Sequence, residues 1–271
     1  MHSSNLPAWD DIPEVPGMPK GCAWGLFDRD GQRDQVGTLN LLTPEKILEA
    51  KEEIQHGESV CLNWFLHHVP DPAAERKPFE HKIKSLRHLG YAAYDDEISI
   101  NTQTSSQWDG LIEPSASASI VSYITDSIRI RREDWSLRGG IVGRGVLIDY
   151  HQWAKDRQFP HPPVERTCIT IAEIEEVARA QGLELRPADI LIIRTGWTDW
   201  YNGASDTERT AGTTGDKHIG LVGNEETIKW LWNHHFAAVA SDSLAFEAWP
   251  TKPPYGMEPQ LPNYQLCYVQ D

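Results

Sequence analysis

The sequence is poor in basic residues and has no long apolar run. Its 25 lysines and arginines stand against 40 aspartates and glutamates, which gives a formal net charge of -15. A surface of this charge repels the phosphate backbone of nucleic acids, so we expect no nucleic-acid partner. No apolar stretch approaches the roughly 20 residues that a membrane-spanning helix needs. We therefore expect no membrane partner and predict work on a small molecule.

Cysteine is also scarce. The four cysteines, Cys22, Cys61, Cys168 and Cys267, are scattered and form no CxxC pair. This spacing argues against a disulfide framework and a structural zinc site, and it favours reduced thiols. The first ten residues lack a basic flank followed by an apolar segment, so we expect no signal peptide. These features together predict a cytoplasmic protein.

The composition divides the chain into a short arm and one larger unit. Residues 1–20 carry four prolines among acidic residues, which is typical of an extended arm packed on the body or on a partner subunit. A chain of 271 residues is an ordinary length for one large α/β unit. Residues 21–271 are therefore expected to form a single catalytic domain.

Three segments carry helix signals. Thr43 as N-cap and Pro44 at the first helical position predict a helix that ends near His56, before Gly57. Its predicted buried face contains Ile47, Leu48 and Ile54. Thr170 and Glu173 form the capping box of a second helix, which ends near Gly182 and buries Ile174, Val177 and Ala178. A third helix is predicted from Asn224 to about His235, burying Ile228, Leu231 and Trp232.

Three short apolar runs predict strands of a central sheet that is covered on both faces. They are residues 145–148, 190–193 and 236–240. Polar pairs follow them: Asp149–Tyr150, Arg194–Thr195 and Ser241–Asp242. Ligands of open α/β sheets bind beyond the carboxyl ends of the strands, so these pairs are pocket candidates. Polar residues also follow strands in ordinary loops, and that alternative stays open.

The segment from Asn101 to Gly110 is unusually polar. If it is extended, Gln103, Gln107 and Asp109 lie on one face together with Ser105. Two amides and a carboxylate on one face are able to bind a polar ligand or hold a water molecule. The alternative is a solvated strand face or a polar turn.

Several motifs spread over most of the chain resemble the cyclase family of kynurenine-formamidase-like enzymes, and they look most like its longer, fungal branch. They are Trp24-Gly25 and the segments at residues 34–44, 139–149, 192–197 and 237–247. The resemblance implies an α/β fold of the swivelling β/β/α type, with a central mixed sheet flanked by helices. It also implies a homodimer or homotetramer that hydrolyses or cyclises small amides or lactones.

The family's metal motif, His-x-Gly-Thr-His-x-Asp-x-x-x-His, falls on residues 103–113. Gln103 and Gln107 stand at two histidine positions, Asp109 matches the aspartate, and Glu113 stands at the last histidine. An amide oxygen is a much poorer zinc ligand than imidazole. The resemblance further identifies Glu226 as the later glutamate ligand and His218 as its nearby histidine. The segments that follow Gly110 and Pro250 also depart from the family pattern.

This motif favours acid–base chemistry without a cofactor. Asp109 or Glu226 would take a proton, with a pKa raised by burial or by the other carboxylate, while Gln103 and Gln107 would donate to a developing oxyanion or enolate. Such a site suits cyclisation, dehydration or isomerisation of an aromatic or polyketide-like carbonyl compound in specialised metabolism. One alternative is an amidase or lactonase with Asp109, Glu226 and His218 holding manganese or zinc. Another is a non-catalytic ligand-binding relative.

The predicted substrate-binding residues are more varied. Trp24 and Trp64 either line an aromatic substrate site or belong to the core. Arg144 either supports the fold or anchors a substrate carboxylate with two hydrogen bonds. Tyr150 and Glu113 complete the predicted set.

Overall fold

The computed structural model describes residues 6–16, 20–23, 25–34, 36–108 and 132–250. Three predicted site residues, Trp24, Asp109 and Glu113, lie outside the described residues. The helices are α1 (Pro44–Ala50), α2 (Arg132–Leu137), α3 (Tyr150–Asp156), α4 (Ile171–Ala180), α5 (Trp197–Gly203), α6 (Asp206–Thr214) and α7 (Glu225–Asn233). The strands are β1 (Glu80–Ser85), β2 (Tyr94–Ser99), β3 (Gly145–Asp149), β4 (Cys168–Ile169), β5 (Ile190–Arg194), β6 (Gly220–Leu221) and β7 (Ala238–Ser241).

The three predicted strands form a parallel sheet in the order β3-β5-β7. Asp149 pairs with Arg194 and Ile193 pairs with Ser241, so all three carboxyl ends meet at one edge. Strand β7 is buried throughout, as predicted for a strand covered on both faces. Among the described residues, β3 alternates between buried and exposed positions, and Leu147 is 46% exposed. The prediction of two covered faces is therefore wrong for β3 in this part of the chain.

Two smaller sheets complete the mixed α/β architecture. Strands β1 and β2 form an antiparallel hairpin whose twelve paired residues are all exposed. Strands β4 and β6 pair in parallel through two residues each. Beside β6, a Cβ on Gly220 would lie 2.4 Å from the backbone carbon of Glu247, so only glycine allows this close approach of two chain segments.

The helix predictions hold where local signals were strong. Helix α4 has the predicted capping box, in which Thr170 accepts from the backbone of Glu173 and the Glu173 carboxylate accepts from the backbone of Thr170. Helix α7 begins after the predicted N-cap, Asn224, whose side chain accepts from the backbone of Thr227. Leu231 is buried and Trp232 is half-buried. Both helices contribute buried side chains to the main core.

Helix α1 agrees only in part. Thr43 caps it and Pro44 begins it, but the α-helix ends at Ala50 and a 3₁₀ turn continues to Glu53. Leu48 and Ile54 are 62% and 76% exposed, so the predicted buried face is wrong at these positions. Ile47, the third residue of that face, is half-buried.

The main core lies between the sheet and helices α3, α4 and α7. Its fully buried side chains include Ile148, Ile174, Leu191, Ile193 and Val239. Residues 6–16 pack against α7: the Trp9 backbone donates to Asn233 at 2.8 Å, and the Trp232 indole donates to the carbonyl of Pro7 at 2.9 Å. Across the described ranges, no helix is both long enough and apolar enough to cross a membrane.

Candidate active site

The polar residues that follow the three central strands meet at the carboxyl edge of the sheet. Arg194 Nη1 lies 3.0 Å from Asp149 Oδ2, and Thr195 Oγ1 donates to Asp242 Oδ1 at 2.7 Å. The strand pattern predicted these pairs as pocket candidates. These side chains satisfy one another, however, so they hold the edge together and do not by themselves present a binding surface.

Asp242 organises this edge. Its Oδ1 accepts from the backbone and hydroxyl of Thr195 at 2.6 and 2.7 Å. Its Oδ2 accepts from the backbone of Gly196 at 3.1 Å and from the backbone and hydroxyl of Thr198 at 3.4 and 3.0 Å. Helix α5 has no cap from its own N-cap residue, Gly196, which has a φ of 95°. Asp242, the residue after strand β7, therefore caps α5.

Helix α5 presents an aromatic face to Trp64. The ring of Trp64 meets Trp197 and Tyr201 edge-on at centroid distances of 5.6 and 4.8 Å. His68 contacts Trp64 at 5.1 Å, and its backbone carbonyl accepts a hydrogen bond from the Tyr201 hydroxyl. Trp197 and Tyr201 stand four residues apart, which places both on one face of the helix. We call Trp64, His68, Trp197 and Tyr201 the aromatic cluster.

The polar segment predicted as a site borders the aromatic cluster. The Trp64 backbone donates to the hydroxyl of Ser106, and the hydroxyl of Ser105 donates to the Trp64 carbonyl at 3.4 Å. Gln107 follows directly in the chain. The structure thus joins Trp64 to the residue before Gln107, and these two predicted residues were identified on separate grounds.

Among the described residues, three buried polar atoms in or next to these two segments have no hydrogen-bond partner. They are Gln107 Oε1, His68 Nδ1 and Trp197 Nε1. Each such atom costs about 1–3 kcal/mol when it is left unpaired. Burial lowers the pKa of His68, and the neighbouring charges of His67 and Arg209 lower it further, so the ring is neutral near pH 7. Unpaired buried groups concentrate where a ligand or catalytic role compensates them. Trp153 Nε1 and His235 Nδ1 are in the same state elsewhere in the described structure.

The first half of the polar segment is not a strand. Residues Thr102–Thr104 form a 3₁₀ turn, and the side chain of Asn101 accepts from the Gln103 backbone at 2.9 Å. The Gln103 carbonyl accepts from Arg76 at 3.4 Å. The predicted extended face shared by Gln103, Ser105 and Gln107 is therefore wrong, because the chain turns at Asn101 to bond its own backbone.

His218 is buried, with 6% of its surface exposed, and its ring stacks on Trp249 at 6.2 Å. Burial lowers its pKa to about 4. Glu226 is exposed in the first turn of α7. No three His, Cys, Asp or Glu side chains of the described ranges converge in a way that could hold a metal ion. Glu226 and His218 therefore supply no three-ligand set with other described residues, and the third predicted ligand, Asp109, lies outside the described residues.

Arg144 lies at the amino end of β3, at the opposite end of the strand from the carboxyl edge. It forms ion pairs with Asp189 at 2.8 Å and Glu53 at 2.7 Å. Burial raises the pKa of Asp189, whereas the hydrogen bond from the Arg186 backbone and the charge and hydrogen bond of Arg144 act to lower it. Of the two predicted roles for Arg144, this geometry favours support of the fold over binding of a substrate carboxylate.

Tyr150 belongs to the core. Its ring is fully buried, and its hydroxyl lies 3.3 Å from Glu173 Oε1. Burial raises the pKa of the phenol, with Glu173 adding to the effect. Because the ring is buried, the structure favours a packing role for Tyr150 over contact with a ligand. The sequence showed that Tyr150 follows a strand but not that its side chain turns inward. Sequence reasoning in turn missed His68, whose neighbour in space is Trp64.

Comparison with known proteins gives a consistent result. Residues 64–248 match the family described as "Putative cyclase". A crystal structure described as a novel cyclase aligns with a TM-score of 0.70 at 24% identity, covering 92% of this chain and 85% of its own. An isatin hydrolase A from Ralstonia solanacearum aligns with a TM-score of 0.52 at 15% identity, covering 84% of each chain. An isatin hydrolase bound to the product analogue thioisatinate gives 0.53 at 13%, covering 84% of this chain and 85% of its own. No curated protein matches the chain in sequence.

Proposed function

Because the chain belongs to the cyclase family, whose model matches residues 64–248, we propose that it is an enzyme that converts a small, planar carbonyl compound beside the aromatic cluster. The observation that carries this proposal is the set of three unpaired buried atoms on Gln107, His68 and Trp197. Such atoms are costly unless a bound molecule pairs with them. The site is thus built for a ligand with complementary polar edges.

The three atoms describe the ligand's chemistry. The Trp197 indole is a donor, Gln107 Oε1 is an acceptor, and the neutral ring of His68 offers one role or the other according to its tautomer. An amide, lactam or lactone presents a carbonyl acceptor, and the first two also carry an N–H donor. The edges of Trp64 and Tyr201 suit a flat ring, since aromatic contacts prefer edge-to-face or offset geometry. Two solved proteins with this fold are named isatin hydrolases, which supports an aromatic carbonyl substrate.

The proposed reaction is acid–base chemistry at the carbonyl. Asp109 or Glu226 takes a proton from the substrate or from water, and the amides of Gln103 and Gln107 and the Trp197 N–H are the donors for the developing oxyanion. Cyclisation, dehydration and isomerisation all need these two functions. Hydrolysis of an amide or lactone by the same groups is the rival reaction.

We further propose the swivelling β/β/α fold, kinship with the fungal branch, and a cytoplasmic homodimer or homotetramer in which residues 21–271 form one domain.

The first experiment follows substrate disappearance in the ultraviolet with a set of aromatic lactams, lactones and N-acyl amides. Trp64→Ala should raise KM by about tenfold or more, since an aromatic side chain contributes about 1.5–3 kcal/mol on burial. Gln107→Leu keeps the shape but loses the acceptor, and should lower kcat/KM by a similar factor. Tyr94→Ala on the exposed hairpin β1–β2 is the matched aromatic control and should leave both constants unchanged.

Two results would count against this function. Equal kinetics for Trp64→Ala and Tyr94→Ala would remove the aromatic cluster from the reaction. Tight binding without turnover of any compound would favour the non-catalytic alternative. Elemental analysis of the purified protein, before and after a chelator, tests the metal-free part of the proposal: stoichiometric manganese or zinc that is essential for activity would instead favour the amidase or lactonase with Asp109, Glu226 and His218 as ligands.

A further inference from the structure

A second polar cluster lies on the other side of helix α5. His151 Nε2 lies 3.0 Å from Asp199 Oδ2, and His151 Nδ1 lies 2.9 Å from His161 Nε2. His161 Nδ1 lies 2.8 Å from the carbonyl oxygen of Phe159. Asp199 follows Trp197 by two positions, so the two side chains leave the helix roughly 200° apart. The contacts form a continuous chain from a carboxylate through two imidazoles to a carbonyl.

The number of protons in this chain follows from its ends. Both ends, the ionised Asp199 carboxylate and the Phe159 carbonyl, only accept hydrogen bonds. Three contacts need three N–H hydrogens, whereas two neutral imidazoles carry two. The observed geometry is therefore satisfied only when the three titratable groups hold one additional proton. Without it, two lone pairs would face each other at hydrogen-bond distance.

We propose that Asp199, His151 and His161 form a proton relay that holds this additional proton and passes it between His161 and Asp199 of helix α5. In its protonated form, His161 donates to Phe159 and to His151, while neutral His151 donates to Asp199. The cluster then has no net charge, because one imidazolium balances one carboxylate. Loss of the proton leaves a charge of minus one and breaks one of the three hydrogen bonds.

The location of the positive charge follows from burial. The side chain of His151 is 10% exposed, whereas His161 is half-buried and opens to solvent. Burial is the largest cause that lowers the pKa of His151, ahead of the opposing hydrogen bond from Asp199. Burial therefore disfavours a positive charge on His151, and the proposal places the imidazolium on His161, the more exposed ring. Asp199, with 53% of its side chain exposed, is the second contact with solvent.

The charges around the relay come from three elements. On α3, Lys155 Nζ lies 4.0 Å from Asp199 Oδ2. On β5, Arg194 lowers the pKa of His151, but it is itself paired with Asp149 of β3 at 3.0 Å. The Tyr150 ring lies 6.0 Å from that of His161, and its hydroxyl is directed to Glu173 of α4. Arg194 and Tyr150 are thus occupied by Asp149 and Glu173, whereas Lys155 is paired with Asp199, the carboxylate that contacts His151.

The relay step conserves protons. His161 Nε2 gives its proton to His151 Nδ1, while His151 Nε2 gives its own to Asp199 Oδ2. The result is a neutral His161, a neutral His151 of the other tautomer, and a protonated Asp199. Two N–H bonds break, one N–H and one O–H bond form, and the net effect moves one charge through the buried ring.

Gly196 provides a second, independent observation. A Cβ at this position would lie 2.0 Å from His151 Nδ1, the nitrogen that faces His161. The left-handed φ of 95° at Gly196 also favours glycine. The start of α5 thus leaves room for the central imidazole against its backbone, which a side chain there would occupy.

The test is a pH titration of the ¹⁵N-histidine-labelled full-length protein by NMR. The relay predicts that His151 and His161 respond together in one shared transition. Asp199→Asn should lower its midpoint by about one pH unit, a tenfold loss of proton affinity, because the carboxylate that stabilises the imidazolium is gone. Asp206→Asn, at the exposed start of α6, removes the same charge near the same helix without touching either ring and should leave the midpoint in place. His161→Gln should leave His151 without the shared transition.

Independent titration of the two rings, with no response to Asp199→Asn, would overturn the relay. Its use during turnover rests on the proposed function, and there the acid or base limb of the pH–rate profile should shift with Asp199→Asn in the direction of the NMR midpoint. The two proposals fail separately: an absence of turnover on every carbonyl compound tried, with the shared transition intact, would remove the proposed function and leave the relay standing.

Discussion

The buried carboxylate of Asp242 offers a sharp test of how the carboxyl edge is held. The two carboxylate oxygens of Asp242 accept five hydrogen bonds. In Asp242→Asn, one of the two oxygens is replaced by an amide nitrogen, which cannot accept. If the new amide nitrogen replaces Oδ2, the hydroxyl of Thr198 is able to rotate and accept from it. The backbone N–H groups of Gly196 and Thr198 cannot rotate and lose their acceptor.

The magnitude follows from those two groups. A buried donor left without a partner costs about 1–3 kcal/mol, so two of them lower the free energy of unfolding by about 2–6 kcal/mol. If the amide nitrogen replaces Oδ1 instead, only the Thr195 N–H loses its acceptor and the loss is about 1–3 kcal/mol. Thr195→Val is a milder variant, since it removes one hydroxyl donor to the charged group and should cost about 1–3 kcal/mol. Asp216→Asn, on an exposed residue, loses the same charge and should stay within about 0.5 kcal/mol of the original protein.

The assay is urea unfolding followed by far-ultraviolet circular dichroism, with the midpoint and slope compared across the three variants. A lower midpoint at an unchanged slope reports the lost hydrogen bonds. If Asp242→Asn unfolds at the same urea concentration as Asp216→Asn, the carboxylate does not cap α5, and the reasoning about the edge fails.

Two further predictions concern strain and pH. Gly196→Ala should lower the free energy of unfolding by more than about 2 kcal/mol, because the added Cβ collides with His151 and the residue has a positive φ. Gly182→Ala is the control: it has a φ of 68° and no atom within 4 Å of the added Cβ, and it should cost about 1 kcal/mol. Thermal unfolding of the two variants compares these costs. Burial raises the pKa of Tyr150 above its unfolded value, so the stability of the original protein relative to Tyr150→Phe is fully present below about pH 10 and is lost as the pH rises further. Urea unfolding at pH 8 and pH 11 measures this difference, and a constant difference would contradict it.

The parts of the fold that the sequence predicts are those that depend on local contacts. Thr170 and Glu173 cap α4 by bonds within four residues, so their pattern alone is sufficient. The apolar runs of the central strands predict a sheet because parallel strands need cover, and the meeting of Asp149 with Arg194 follows from strand direction. The predicted burial of Leu48 is wrong because periodicity identifies an apolar face of a helix but not whether another part of the chain covers that face.

The candidate site was predictable only in pieces. Gln107 and Trp64 were identified separately, one from a motif and one from its side chain, but no pattern shows that they lie together. The extended face of Gln103 failed because Asn101 offers the backbone a competing hydrogen bond. The relay was invisible for a simpler reason: Asp199 stands 48 positions from His151, and their contact exists only once β3 and β5 are paired.

Helix α5 faces the aromatic cluster with Trp197 and the relay with Asp199, and a single capping carboxylate sets its position. The two sides are therefore mechanically joined through a helix of two turns. A ligand that displaces the helix toward or away from Trp64 alters the contact between Asp199 and His151, and with it the affinity for a proton. Thermodynamic linkage makes this effect mutual, so proton uptake changes ligand affinity by the same factor. The effect of substrate on proton affinity and the effect of protonation on substrate affinity would then be set by the same coupling free energy.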